Sequence, residues 1–136
     1  MAVFNYNSPG LGSVGSYQVS GKPFVSASLN ARVGPLGTPL QIKFPSVTRW
    51  IQVINHDASN ALSCSFSSLG LSDTYNYFRV SPQIAGSSNT AASQRLELKV
   101  GEIFFTGSNS FDLIVGLTGI ESGSLHNNWS GSSGVG

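Results

Sequence analysis

Two histidines, one cysteine and six acidic residues are the first groups in this chain to weigh for proton transfer, nucleophilic attack or metal binding. His56 stands beside Asp57, a base next to a carboxylate that could orient it. Neighbours on an extended chain point to opposite faces, however, and no activated nucleophile accompanies the pair. The Asx-rich turn His56-Asp57-Ala58-Ser59-Asn60 accounts for both residues. His126 lies far away in sequence, and neither histidine belongs to an HxH, HExxH or Cys-His pattern, so no metal centre is expected.

Cys64 has no second cysteine to pair with. In Leu62-Ser63-Cys64-Ser65-Phe66-Ser67 it shares a strand face with Leu62 and Phe66, which predicts a small buried hydrophobe rather than a nucleophile. The acids Glu97, Glu102 and Asp112 fall on separate predicted strands. Glycoside hydrolysis needs two carboxylates facing each other across a cleft, and nothing in the sequence brings two together. Gly10-Leu11-Gly12 lacks the strand-to-helix context and the lysine of a phosphate loop. Tyr75, Tyr77 and Phe78 beside Arg79 could stack on sugars or bases, but aromatics on a sandwich strand read first as core or interface. Asn128-Trp129-Ser130 matches a glycosylation sequon, a match that is most often chance where no secretory signal is recognised. No catalytic residue, cofactor or metal is assigned, and an enzyme is not expected.

Charge is scarce. Seven Lys and Arg against six Asp and Glu leave a net charge of +1, and charged residues make up 10% of the chain, against roughly 25% in ordinary soluble domains. The cations are spread singly, so no concentrated basic face is expected for specific or non-specific nucleic-acid binding. The longest apolar runs are too short to span a membrane. A surface this poor in charge suggests cover by other subunits, the alternative being that many small all-β modules are charge-poor in any case.

The elements that would carry these residues are short strands. Alternating or continuous apolar runs predict eight: Phe24 to Val33, Leu40 to Phe44, Val47 to Asn55, Ala61 to Ser67, Asn76 to Ser81, Gln94 to Val100, Glu102 to Thr106 and Phe111 to Leu117. Turn residues separate them at Gly34-Pro35-Leu36-Gly37, Pro45-Ser46, Gly101 and Gly107-Ser108-Asn109-Ser110. The regular spacing predicts an all-β fold, a single eight-stranded antiparallel jelly-roll sandwich over residues 22–117. On that path the turns at Gly34 to Gly37, His56 to Asn60, Ser81 to Ser93 and Gly107 to Ser110 gather at one end. Val47 to Asn55 carries bulky residues on both faces and is expected to be covered on both. Arg95, Glu97 and Lys99 share a charged strand face, either solvated or meeting a neighbouring subunit.

Residues 1–21 read as an extended N-terminal arm, rich in glycine, with Phe4, Tyr6 and Tyr17 as aromatic anchors. Residues 118–136 read as a C-terminal tail in which Leu125 and Trp129 are expected to pack on the sandwich or on a neighbour.

Several segments resemble one family. Gly15-Ser16-Tyr17-Gln18-Val19-Ser20-Gly21-Lys22-Pro23-Phe24, Phe44-Pro45-Ser46-Val47-Thr48-Arg49-Trp50, Arg95-Leu96-Glu97-Leu98-Lys99-Val100, Gly116-Leu117-Thr118-Gly119-Ile120 and Asn128-Trp129-Ser130-Gly131 are similar to the penton (vertex) capsid proteins of the nucleocytoplasmic large icosahedral double-stranded DNA viruses. The resemblance implies a single jelly roll that forms a homopentamer at each fivefold vertex of the virion capsid. Its implied partners are the surrounding major capsid protein trimers and minor capsid proteins, with synthesis and assembly in the host cytoplasm. The matched segments are structural, so the residues expected at assembly interfaces are Phe4, Tyr6, Tyr17, Leu125 and Trp129 from the flanks and Arg49, Arg79 and Arg95 from the body. The alternative is a carbohydrate- or receptor-binding jelly roll that uses the gathered loops.

Overall fold

The computed structural model describes residues 21–32, 39–72, 76–83 and 91–122. Seven strands form among them: β1 (Lys22–Leu29), β2 (Leu40–Lys43), β3 (Ser46–Asn55), β4 (Leu62–Ser65), β5 (Phe78–Val80), β6 (Glu102–Thr106) and β7 (Phe111–Glu121). A short helix, α1 (Ser68–Ser72), follows β4. The strands make two antiparallel sheets, one in the order β1-β7-β3 and one in the order β2-β6-β4-β5.

Period-two alternation builds the space between the sheets. Phe111, Leu113 and Val115 of β7 and Ile51 and Val53 of β3 point inward from one sheet, and Leu62, Cys64, Ile103 and Phe105 point inward from the other. All nine are fully buried; removing a large aliphatic or aromatic side chain of this kind from water is worth about 1.5–3 kcal/mol. The Phe105 and Phe111 rings meet across the sheets with centroids 4.6 Å apart, and Phe24 meets Phe44 edge-on at 5.3 Å.

The predicted strand Gln94 to Val100 is not a strand among the described residues. The segment nevertheless runs antiparallel along the free edge of β3, with Leu96 and Ile51 exchanging both backbone hydrogen bonds at 2.8 Å. The ladder breaks because side chains intercept backbone groups. Ser93 Oγ accepts from Val53 N at 2.9 Å, and Thr48 Oγ1 accepts from Val100 N at 3.1 Å while donating to Leu98 O at 2.6 Å. β3 itself bulges where Thr48 pairs with Leu117 but Trp50 pairs with Gly116, and such an extra residue disrupts regular pairing. The bulge also overturns a simple alternation through Val47 to Asn55. Thr48 is fully buried, while Trp50, Gln52 and Ile54 remain only partly covered.

Two further differences are local. No strand is predicted between Ser67 and Asn76, and α1 forms there because Ser67 Oγ accepts the Gly70 N–H at 3.1 Å, a helix-capping bond. β7 continues past Leu117 through Glu121, held by Thr118 Oγ1 donating to Val47 O at 2.7 Å and by pairing of Ser46 with Glu121.

Candidate interaction surface

Of the residues expected at interfaces, Phe4, Tyr6, Tyr17, Leu125 and Trp129 lie outside the described residues, as does the Asn128 sequon. The three arginines are described, and two of them meet. Arg49 Nη1 stands 3.4 Å and Arg95 Nη2 stands 3.3 Å from the same oxygen, Glu97 Oε1. The contact between β3 and the 91–100 segment makes this possible, because pairing Leu96 with Ile51 puts Glu97 beside the Arg49 bulge. All three side chains are substantially exposed, so the group adds little to folding. Its two cations around one anion leave a net positive strip at the sheet border.

Arg79 is separate. It sits on β5, the edge of the other sheet. Its guanidinium donates to Tyr77 Oη at 2.9 Å and lies 5.4 Å from the centre of that ring, a local cation–π contact.

The turns at 56–60, 81–83 and 107–110 come together at one end of the molecule. His56 N donates to Ser110 O, Gln83 N to Asp57 O and Ala31 N to Ser108 O, each at 2.8–2.9 Å. Asn55 is the buried centre of this end. Its Nδ2 donates to the carbonyls of Asn60, Val80 and Ser81 at 3.0–3.2 Å. Its Oδ1 accepts from Asp57 N at 3.0 Å and from Ser108 Oγ at 2.8 Å. One side chain thereby ties three connections together.

Asp57 shows the Asx-turn chemistry expected of it. Its carboxylate accepts from Ser59 N at 2.9 Å, Asn109 N at 3.1 Å and Asn60 N at 3.0 Å. Those donors, Ser59 foremost, hold its carboxyl far below the usual carboxylate range despite burial.

His56 turns away from Asp57 and pairs with Asp112, a partner that adjacency in sequence concealed. Nε2 lies 2.8 Å from Asp112 Oδ2 and Nδ1 lies 3.2 Å from Gln83 Oε1. Both ring nitrogens face oxygen acceptors, an arrangement that favours the doubly protonated imidazolium. The Asp112 bond foremost and the Gln83 bond next raise the His56 pKa above its ordinary value. Asp112 is lowered, first by accepting the Ser28 N–H and then by His56. A register reading could have exposed the pair: Ile54 faces Asp112 and Asn55 faces Phe111, so β3 ends beside the start of β7.

Burial pushes the Cys64 thiol up, consistent with a core role. Among the described residues, no group of three or more His, Cys, Asp or Glu is arranged to hold a metal ion, and no helix is long and apolar enough to cross a membrane. The chain matches no protein-family model, no curated protein and no solved structure.

Proposed function

We propose that this chain is a structural capsid protein, the penton subunit of a large icosahedral double-stranded DNA virus, forming a homopentamer at the fivefold vertices. The observation that carries the reading is the order of strands. With the 91–100 segment counted as a fourth member beside β3, the sheets become β1-β7-β3-(91–100) and β2-β6-β4-β5. Four and four in that order, with β4 paired to β5 and the remaining connections crossing between sheets, supports the reading of a single eight-stranded jelly roll. The resembled family is built on one such domain.

The scarcity of charge and the absence of a basic cluster fit a subunit largely covered by protein partners rather than by nucleic acid. Those partners are the four other copies, the major capsid protein trimers around the vertex, and minor capsid proteins, all within the virion. The sandwich sides pack around the axis and the terminal segments reach neighbouring subunits. Light scattering on the purified chain tests the reading. A concentration-independent particle of five 14.3 kDa chains is expected, together with density for this fold at the vertices of imaged particles. A stable monomer that binds glycans through its gathered loops would replace this reading with the carbohydrate- or receptor-binding one.

A further inference from the structure

The two sheets present different outer faces. On the β2-β6-β4-β5 sheet, Lys43 pairs with Glu102, Gln41 with Phe104, and Ser63 with both Thr106 and Arg79. That face is mostly polar. On the β1-β7-β3 sheet the register lays Pro23, Gly116 and Trp50 in one row and Val25, Ile114 and Gln52 in the next. Val25 is 67% exposed, the most exposed large apolar side chain among the described residues. Among the described residues, the charges near this face stand toward its border, with Arg49 on β3 reaching Glu97 on the neighbouring segment and His56 and Asp112 toward the loop end. An apolar centre inside a charged rim is the anatomy of a protein interface.

The chain also carries a segment suited to that face. Met1–Ser20 contains Val3, Phe4, Tyr6, Leu11 and Tyr17 but no Asp, Glu, Lys or Arg. Every such charge in the sequence falls between Lys22 and Glu121. A neutral aromatic segment can cover apolar surface without stripping water from an ion. It joins β1, an edge strand of this same sheet, through Gly21. Twenty extended residues reach up to about 66 Å, well beyond a domain whose radius of gyration is about 13 Å. Val25 is open to such cover, and a reach longer than the domain lets the segment cross to another copy.

We propose that the outer face of the β1-β7-β3 sheet, centred on Val25 and Ile114, receives the Met1–Ser20 segment of a second copy of this chain. The proposal rests on the homo-oligomer described above and names the surface by which its copies hold one another.

Cross-linking of full-length chains tests it. A Val25→Cys chain is mixed with an Asn5→Cys or Asn7→Cys chain, which keeps Phe4 and Tyr6, and oxidised with diamide. Cys64 is fully buried and does not compete. A mixed disulfide between the two chains is expected. In parallel, Val25→Asp should lower the assembled fraction about tenfold, with circular dichroism and melting temperature unchanged. Absence of any cross-link, or a bond forming only within one chain of an Asn5→Cys/Val25→Cys double variant, overturns the proposal. So does a Val25→Asp chain that assembles normally and fails only to join the major capsid protein. A pentamer without the cross-link removes this surface alone, whereas a cross-linked assembly of another stoichiometry removes the penton reading alone.

Discussion

The imidazole of His56 lies 2.8 Å from the Asp112 carboxylate, and that contact joins the exit of β3 to the start of β7. The second Asp112 oxygen accepts the backbone N–H of Ser28 at 2.9 Å. Ser28 has φ 55°, the left-handed region that a non-glycine residue adopts at a cost, and it sits where β1 slips register against β7. One carboxylate therefore pins a strained bulge on one side and a histidine on the other.

This pair makes stability depend on pH in two directions. The His56 pKa is raised on folding, so its contribution is complete below the ordinary value of about 6.5 and is lost as pH rises through the raised value. The Asp112 pKa is lowered, so its contribution is present above the ordinary value of about 3.9 and is lost as pH falls through the lowered value. Nuclear magnetic resonance titration should find His56 titrating above 6.5, and Asp112→Asn should bring it down. An unshifted His56 in the native protein would show that the contact does not persist in solution.

Asn55→Ala should destabilise the fold by about 2–4 kcal/mol, read from urea denaturation. The cost comes from what is left behind. Three carbonyls, the Asp57 N–H and the Ser108 hydroxyl lose a buried partner at once.

Asp57→Asn should cost about 1–3 kcal/mol at neutral pH, because hydrogen bonds from Ser59, Asn60 and Asn109 to a charged acceptor are stronger than those to an amide. The folded-state pKa is lowered, so the wild-type advantage holds above the ordinary carboxylate value and shrinks on acidification. Thermal melts of the two proteins should converge as pH falls. A constant gap down to strong acid would assign the loss to packing instead.

Gly107→Ala should be disproportionately damaging for so small a change. Gly107 has φ 101°, and an added Cβ would stand 2.6 Å from the Ala61 carbonyl oxygen, a backbone atom that cannot swing aside. A loss of about 1–3 kcal/mol is expected in the same denaturation assay. Gly21, where a Cβ meets nothing within 4 Å, provides the control.

Glu97→Ala should change folding stability by less than about 1 kcal/mol, since its pairs with Arg49 and Arg95 are exposed. Its effect should appear in assembly, where removing the anion leaves two cations at the border of the apolar face. Salt-dependent light scattering separates the two: an unchanged association curve would make the strip a solvated face only.

Period-two patterning carried most of the strands and the core. Leu62, Cys64, Phe111, Leu113 and Val115 could be assigned inward from alternation because the distance between successive side chains on one strand face is fixed by the backbone itself. The Asx character of the turn at Asp57 was legible for the same reason, since its partners Ser59 and Asn60 are close in sequence. Pairings between distant residues were not. Whether Gln94 to Val100 would form a regular ladder depended on Thr48 and Ser93 taking backbone partners from across the gap, and whether His56 would meet Asp57 or Asp112 depended on the register of β3 against β7. The sequence by itself determined which residues favour strands, which faces are apolar and how little charge the chain carries. Only the tertiary structure decided which strands are neighbours, and therefore that Val25, Ile114 and Trp50 share one outer sheet face, because contacts between distant segments are selected by the packing of the whole core rather than by local preference.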